Sequence, residues 1–114
     1  MVKLIISEQK IDELSILDLS GDVIFGEGTV VLRTAIRRLL GEGQKKIILN
    51  MEHVGYIDSS GIGELVSGFT ASKREEGSFK LINLPDRVYD LLAICKLLTV
   101  FDVCENTRNA FANQ

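Results

Sequence analysis

The apolar and polar positions of this chain alternate between short runs of β-forming residues and longer stretches with helical spacing. Residues 2–6 are rich in β-formers, and residues 14–19 (LSILDL) make a second such run. Glu8, Gln9, Lys10, Asp12 and Glu13 between them are polar enough for a turn, so the opening predicts an antiparallel hairpin. Ser20, Gly21 and Asp22 end the second run with turn chemistry, and Val23, Ile24 and Phe25 continue it briefly before Gly26, Glu27 and Gly28. Over residues 29–40, Val31, Leu32, Ala35, Ile36, Leu39 and Leu40 recur at helical spacing while Arg33, Arg37 and Arg38 fall on the other side. This is an amphipathic helix, stopped by Gly41 and Gly43.

Ile47, Ile48 and Leu49 form a continuous apolar run, the pattern of a strand buried on both faces. Met51, Glu52, His53, Val54 and Gly55 read as a short link to Tyr56 and Ile57. Asp58, Ser59, Ser60 and Gly61 then open a helix that runs to about Glu76, with Ile62, Leu65, Val66, Phe69 and Ala71 inward and Gly77 closing it. Residues 79–82 are another strand, and Pro85 suits the first turn of a helix through Arg87, Val88, Leu91, Leu92 and Ile94. Leu97, Leu98, Val100, Phe101 and Val103 suggest a last strand region, and residues 107–111 a final turn of helix. The order predicts an α/β fold: one domain over residues 1–114, an N-terminal β-hairpin, then alternating helices and strands forming a mixed sheet covered by helices. The helix that opens at the serines would begin at the C-terminal end of the central strand, the usual place for function in such sheets.

Composition narrows the function classes. With 114 residues, 46% of them hydrophobic, and a single Pro, the chain reads as globular, and an aromatic share of 6% without Trp makes the core aliphatic. Thirteen basic against sixteen acidic residues give a net charge of −3, which argues against a nucleic-acid partner. Cys95 and Cys104 have no metal-type or redox-type spacing, and a lone His53 makes no cluster, so neither a metal nor another cofactor is expected. The first apolar run is too short for a signal peptide and no stretch is long enough to span a bilayer, so membrane insertion is not expected and the protein is read as cytoplasmic.

Asp and Ser cap helices because their side-chain oxygens accept from N–H groups that lack a partner in the first turn. Gly61 and Gly63, without side chains, would let another surface approach that helix start, where the dipole is positive. A nucleophilic Ser59 on a strand-to-helix elbow fits poorly: Ile57 stands where the first glycine of G-x-S-x-G belongs, and His53 precedes the serine. Capping is the better reading of the serines, and no enzyme is expected. The stretch from Gly41 to Lys46 lacks the strand-loop-helix order and final hydroxyl of a P-loop. The Arg33, Arg37 and Arg38 face suits either an acidic partner or plain solvation, and solvation is the commoner fate of such charges. Phosphate on one of the paired serines would add roughly −1.5 to −2 charges at a helix start that tolerates them, while opposing a docked partner.

The segment LNMEHVGYIDSSGIGEL, residues 49–65, resembles the signature of the STAS domain, and within it that of bacterial anti-sigma factor antagonists. The resemblance implies a partner-switching regulator, not an enzyme, with no cofactor of its own. Unphosphorylated, it would bind an anti-sigma factor that is also a serine kinase and so free a sigma factor for transcription; a serine phosphatase of the metal-dependent type would reverse the modification. It places the phosphate on Ser59, the first serine of D-S-S-G, with Asp58, Ser60, Gly61 and Gly63 completing the contact surface. Gly21, Asp22 and Val23 match the family's G-[DE]-[LIV], but Ile24 stands where many members carry an acid, so a partner contact through that acid does not carry over to this chain. The alternative is a constitutive STAS binding module, a stressosome-type scaffold or a lipid-transport accessory protein, without a phosphoswitch.

Overall fold

The computed structural model describes residues 2–104. Strand β1 (Ile5–Ile11) pairs antiparallel with β2 (Leu14–Val23) across a turn at Asp12 and Glu13, where Asp12 takes the left-handed region at φ 54°. The expected turn at Glu8, Gln9 and Lys10 is thus corrected. Those residues are strand, polar because β1 is an edge whose side chains are mostly exposed.

Helix α1 (Glu27–Gly41) leads to β3 (Lys46–Ile57), α2 (Ser59–Arg74) to β4 (Ser78–Ile82), and α3 (Asp86–Ile94) to β5 (Asp102–Cys104). Pro85 sits at the cap of α3, as its fixed φ favours. The later strands pair in parallel, in the order β1-β2-β3-β4-β5. Each crossover therefore steps one strand in the same direction, and connections of one hand set their helices on one face of the sheet. The packing agrees: the larger core joins Leu32 and Ile36 of α1, Leu65 of α2 and Val88 and Leu92 of α3 to Leu17, Ile47, Leu49, Phe79 and Leu81. A smaller cluster, Leu14, Ile16, Ile48 and Ile82, comes from strands alone. Alternation along β3 sends Ile47 and Leu49 one way and Ile48 the other, and all three are buried, as a central strand requires.

The link expected at Met51 to Gly55 is part of β3. Asp18 pairs with Asn50 but Ser20 with His53, and Gly21 pairs with Val54 but Asp22 with Tyr56, so β3 carries an extra residue at each of two bulges. A polar ladder crosses the sheet just before them. Gln9 Nε2 and Asn50 Nδ2 donate to Asp18, each at 2.8 Å, and Asn83 Nδ2 donates to Asn50 Oδ1 at 3.0 Å.

Smaller corrections concern ends. β2 stops at Val23, without Ile24 and Phe25. Helix α2 stops at Arg74, and Glu76, at φ 60°, takes the left-handed position expected of Gly77. Gly77 is needed for another reason, since a Cβ there would run into the Lys45 carbonyl. Of the five residues expected inward on α2 only Leu65 is fully buried; Ile62, Val66 and Phe69 are half-buried against the same core, and Gly68 and Ser72 are buried beside it. β5 begins only at Asp102, and the helix turn expected at residues 107–111 lies outside the described residues.

Candidate functional site

The C-terminal end of β3 delivers Ile57 to the core and Asp58 to the start of α2. Asp58 is the N-cap, in extended backbone, and its Oδ1 accepts the Gly61 N–H at 2.9 Å. Its Oδ2 accepts the Phe25 N–H, also at 2.9 Å, and its own N–H donates to the Val23 carbonyl at 3.3 Å. One carboxylate thus fastens the β2–α1 connection to the first turn of α2. The Phe25 N–H first, and the Gly61 N–H next, hold the Asp58 carboxyl below its ordinary range against an opposing effect of burial.

With a folded pKa below the unfolded value of about 3.9, the stability due to Asp58 is present above about pH 5 and lost as pH falls through the folded value. Asp58→Asn keeps a capping oxygen but turns an amide toward one of the two N–H groups. It is expected to cost about 1–2 kcal/mol at neutral pH and to flatten the acid limb of the stability profile. Urea titrations between pH 3 and pH 7 measure both, and an acid limb as steep as that of the unaltered chain would refute the clasp.

The serines divide around this cap. Capping was expected of them, but Asp58 performs it, and Ser59 is the first residue of α2, exposed, with no hydrogen bond from its hydroxyl to any described residue. Ser60 is half-buried. Gly61 is buried, and a Cβ there would run into the Val23 carbonyl oxygen, so its missing side chain serves the interior instead of an approaching surface. Gly63 is exposed, and beyond its own turn of helix no described atom lies within 4 Å of a Cβ position, so the space there is open.

Phe25, read from sequence as the tail of a strand, is 80% exposed while its backbone is held by Asp58. Its signal was present, an aromatic set directly before the turn glycines, but an apolar triplet after a strand reads first as more strand. Tyr56, near the end of β3, is half-exposed. Ile24, in the position expected to be acidic, is half-buried and its carbonyl accepts the Thr29 N–H at 3.1 Å. The end of the sheet therefore presents an unbonded hydroxyl, an exposed ring and a bare glycine around a fixed carboxylate. Such an arrangement suits contact and modification; among the described residues no group of three or more His, Cys, Asp or Glu is placed to hold a metal. Nor is any described helix long and apolar enough to cross a membrane.

The arginines of α1 separate as well. Arg38 bonds to Glu8 and Glu42, Arg33 to Glu64 at 2.8 Å, and Arg37 has no ion pair among the described residues.

Comparison with known proteins agrees with this architecture. The family model of the STAS domain matches residues 6–110. The chain is 36% identical over 73 residues to an anti-sigma-B factor antagonist of Bacillus subtilis, a match covering 64% of this chain and 66% of that relative. It is 30% identical over 66 residues to an anti-sigma-B factor antagonist of Staphylococcus aureus, covering 58% of this chain and 61% of that one. The matched stretch thus spans somewhat under two thirds of either relative's length. Among solved structures, an anti-sigma factor antagonist from Mycobacterium paratuberculosis superposes with a TM-score of 0.83 at 16% identity, covering 96% of this chain and 92% of that one. The Bacillus protein SpoIIAA superposes with a TM-score of 0.73 unphosphorylated and 0.74 phosphorylated, each at 18% identity; 96% of this chain is covered in both, against 96% and 98% of SpoIIAA.

Proposed function

This chain belongs to the STAS domain family, and we propose that it acts there as an anti-sigma factor antagonist switched by phosphorylation of Ser59. In this reading the unmodified protein binds an anti-sigma factor that is also a serine kinase, and so releases a sigma factor for transcription in the cytoplasm. The kinase modifies Ser59, which ends the association, and a metal-dependent serine phosphatase restores it. The protein contributes a surface and an acceptor hydroxyl, not a catalyst.

The observation that carries the proposal is the division of labour at the start of α2. Asp58 makes the cap and the link to Phe25, which leaves the Ser59 hydroxyl exposed and uncommitted. Phosphate can be added without breaking a bond that holds the fold, and the helix dipole favours it there. The fold is shared with SpoIIAA in both its unphosphorylated and its phosphorylated form, which supports a switch that works without a change of architecture. Phe25 and Tyr56 supply the exposed aromatic area that anchors many protein contacts.

Incubation with ATP and the cognate kinase is expected to place one phosphate on the chain, located at Ser59 by mass spectrometry, and none on Ser59→Ala. Label on Ser60 alone, or undiminished label on Ser59→Ala, would overturn the assignment.

A further inference from the structure

We propose that the groove between α1 and α2 docks an acidic, amphipathic segment of the protein partner, as a second contact beyond the Ser59 end of α2; the partner's identity rests on the reading above. The groove is open, about 620 Å³ in volume, and its lining includes the apolar Ile36, Leu40 and Ala71 and the basic Arg33, Arg37 and Arg74.

Charge selects the occupant. Glu64 neutralises Arg33, and Arg38 is held away from the groove by Glu8 and Glu42. Arg37 and Arg74 have no ion pair among the described residues, although the chain as a whole carries a net −3. Of the carboxylates lining the groove, Glu64 is committed to Arg33 and Glu75 alone remains against these two guanidiniums. The planar guanidinium fork matches a carboxylate with two parallel hydrogen bonds, a geometry that an exposed arginine pair can offer to Asp or Glu side chains.

Shape and position agree with charge. The α1 wall from Arg33 to Leu40 is about 10 Å long at 1.5 Å per residue, enough for roughly two turns of a helix lying in the groove. Apolar side chains of such a segment would rest on Ile36, Leu40 and Ala71, with its carboxylates turned to Arg37 and Arg74. On α2, the exposed residues Ser59, Gly63, Ser67, Thr70 and Arg74 succeed one another at spacings of four and three. The accessible face of the helix is therefore continuous from the phosphate acceptor to the groove.

The test is the affinity of the full chain for its purified anti-sigma partner, by calorimetry, for Arg37→Glu, Arg74→Glu, Ser59→Asp and the charge-matched control Arg87→Glu. Circular dichroism melts confirm that each variant is folded. Arg37→Glu and Arg74→Glu are each expected to weaken binding about tenfold or more and to reduce its salt dependence, with Arg87→Glu unchanged. An equal loss in Arg87→Glu would reduce the effect to net charge and overturn the proposal. Unchanged affinity in both groove variants, while Ser59→Asp still abolishes binding, would overturn it and leave the switch standing. A loss in the groove variants with none in Ser59→Asp would sustain the groove and overturn the switch. Altered self-association of the groove variants in sedimentation, with partner affinity intact, would assign the groove to a second copy of this chain and overturn the proposal.

Discussion

Gly61→Ala is expected to destabilise the protein by about 2–4 kcal/mol, a fall in melting temperature of roughly 10–20 °C, whereas Gly63→Ala is expected to raise it slightly. The two glycines are two residues apart in one helix turn and would be exchanged freely by any reading of helix propensity. Their surroundings differ completely. A methyl at position 61 runs into the Val23 carbonyl oxygen and lies 2.7 Å from Ile57 Cγ1, and neither backbone nor a fully buried side chain can move aside without shifting the end of a strand. That displacement would also disturb the Gly61 N–H that Asp58 holds, so the cap weakens together with the packing. At position 63 no described atom beyond its own turn of helix lies within 4 Å of the added methyl, and the exchange relieves the entropic cost of a helical glycine, about 0.5–1 kcal/mol. Thermal melts of the two variants measured together decide the matter. Equal shifts, of either sign, would mean that the start of α2 is not wedged against β2.

Much of this was legible in the sequence because helices announce themselves through apolar spacing and breakers. The spacing from Val31 to Leu40 and the stop at Gly41 and Gly43 place α1 within a few residues, and the Asp-Ser-Ser-Gly run locates the start of α2. What escaped is where three-dimensional pairing overrides local pattern. In β3 the buried residues Met51, Val54 and Ile57 are three apart, because each bulge adds one residue and so leaves two consecutive residues, Glu52 with His53 and Gly55 with Tyr56, facing solvent. A spacing of three is foreign to strands, and no inspection of that segment alone recovers it. The hairpin was legible but the extent of β1 was not, for the opposite reason: an edge strand with little buried area carries no alternation to mark how far past Ile6 it runs. At the site, sequence supplied every residue of the helix start but could not say which oxygen makes the cap, since Asp and Ser serve equally well. The Gly61 N–H on Asp58 Oδ1 settles it, and the reach of Oδ2 to Phe25, 33 positions away, separates the structural carboxylate from the available hydroxyl.

Ser59→Asp is expected to lower affinity for the anti-sigma partner by about a hundredfold, equivalent to 2.7 kcal/mol, while moving the melting temperature by no more than a few degrees. The two halves of this expectation have separate causes. In the free protein the new carboxylate sits in the first turn of α2, where the dipole contributes about 0.3–1 kcal/mol in its favour, and solvent screens it from Asp58. No hydrogen bond of the fold is lost, because the hydroxyl it replaces makes none with the described residues. Under a docked partner the same charge loses its water beside a second carboxylate that is already committed to two N–H groups. Among the described residues neither position 58 nor 59 has an ion pair to offset the loss, and desolvating an unpaired charge costs several kcal/mol. The partner would have to bring its own cation to avoid that cost, so a partner with an arginine over the serine would show a smaller loss and a strong dependence on salt. Calorimetry of both forms at two ionic strengths, with melts alongside, separates these cases. Unchanged affinity at both would leave a constitutive binding module in which Ser59 carries no signal; an unfolded variant would mean that the start of α2 does not tolerate the charge its dipole is expected to favour.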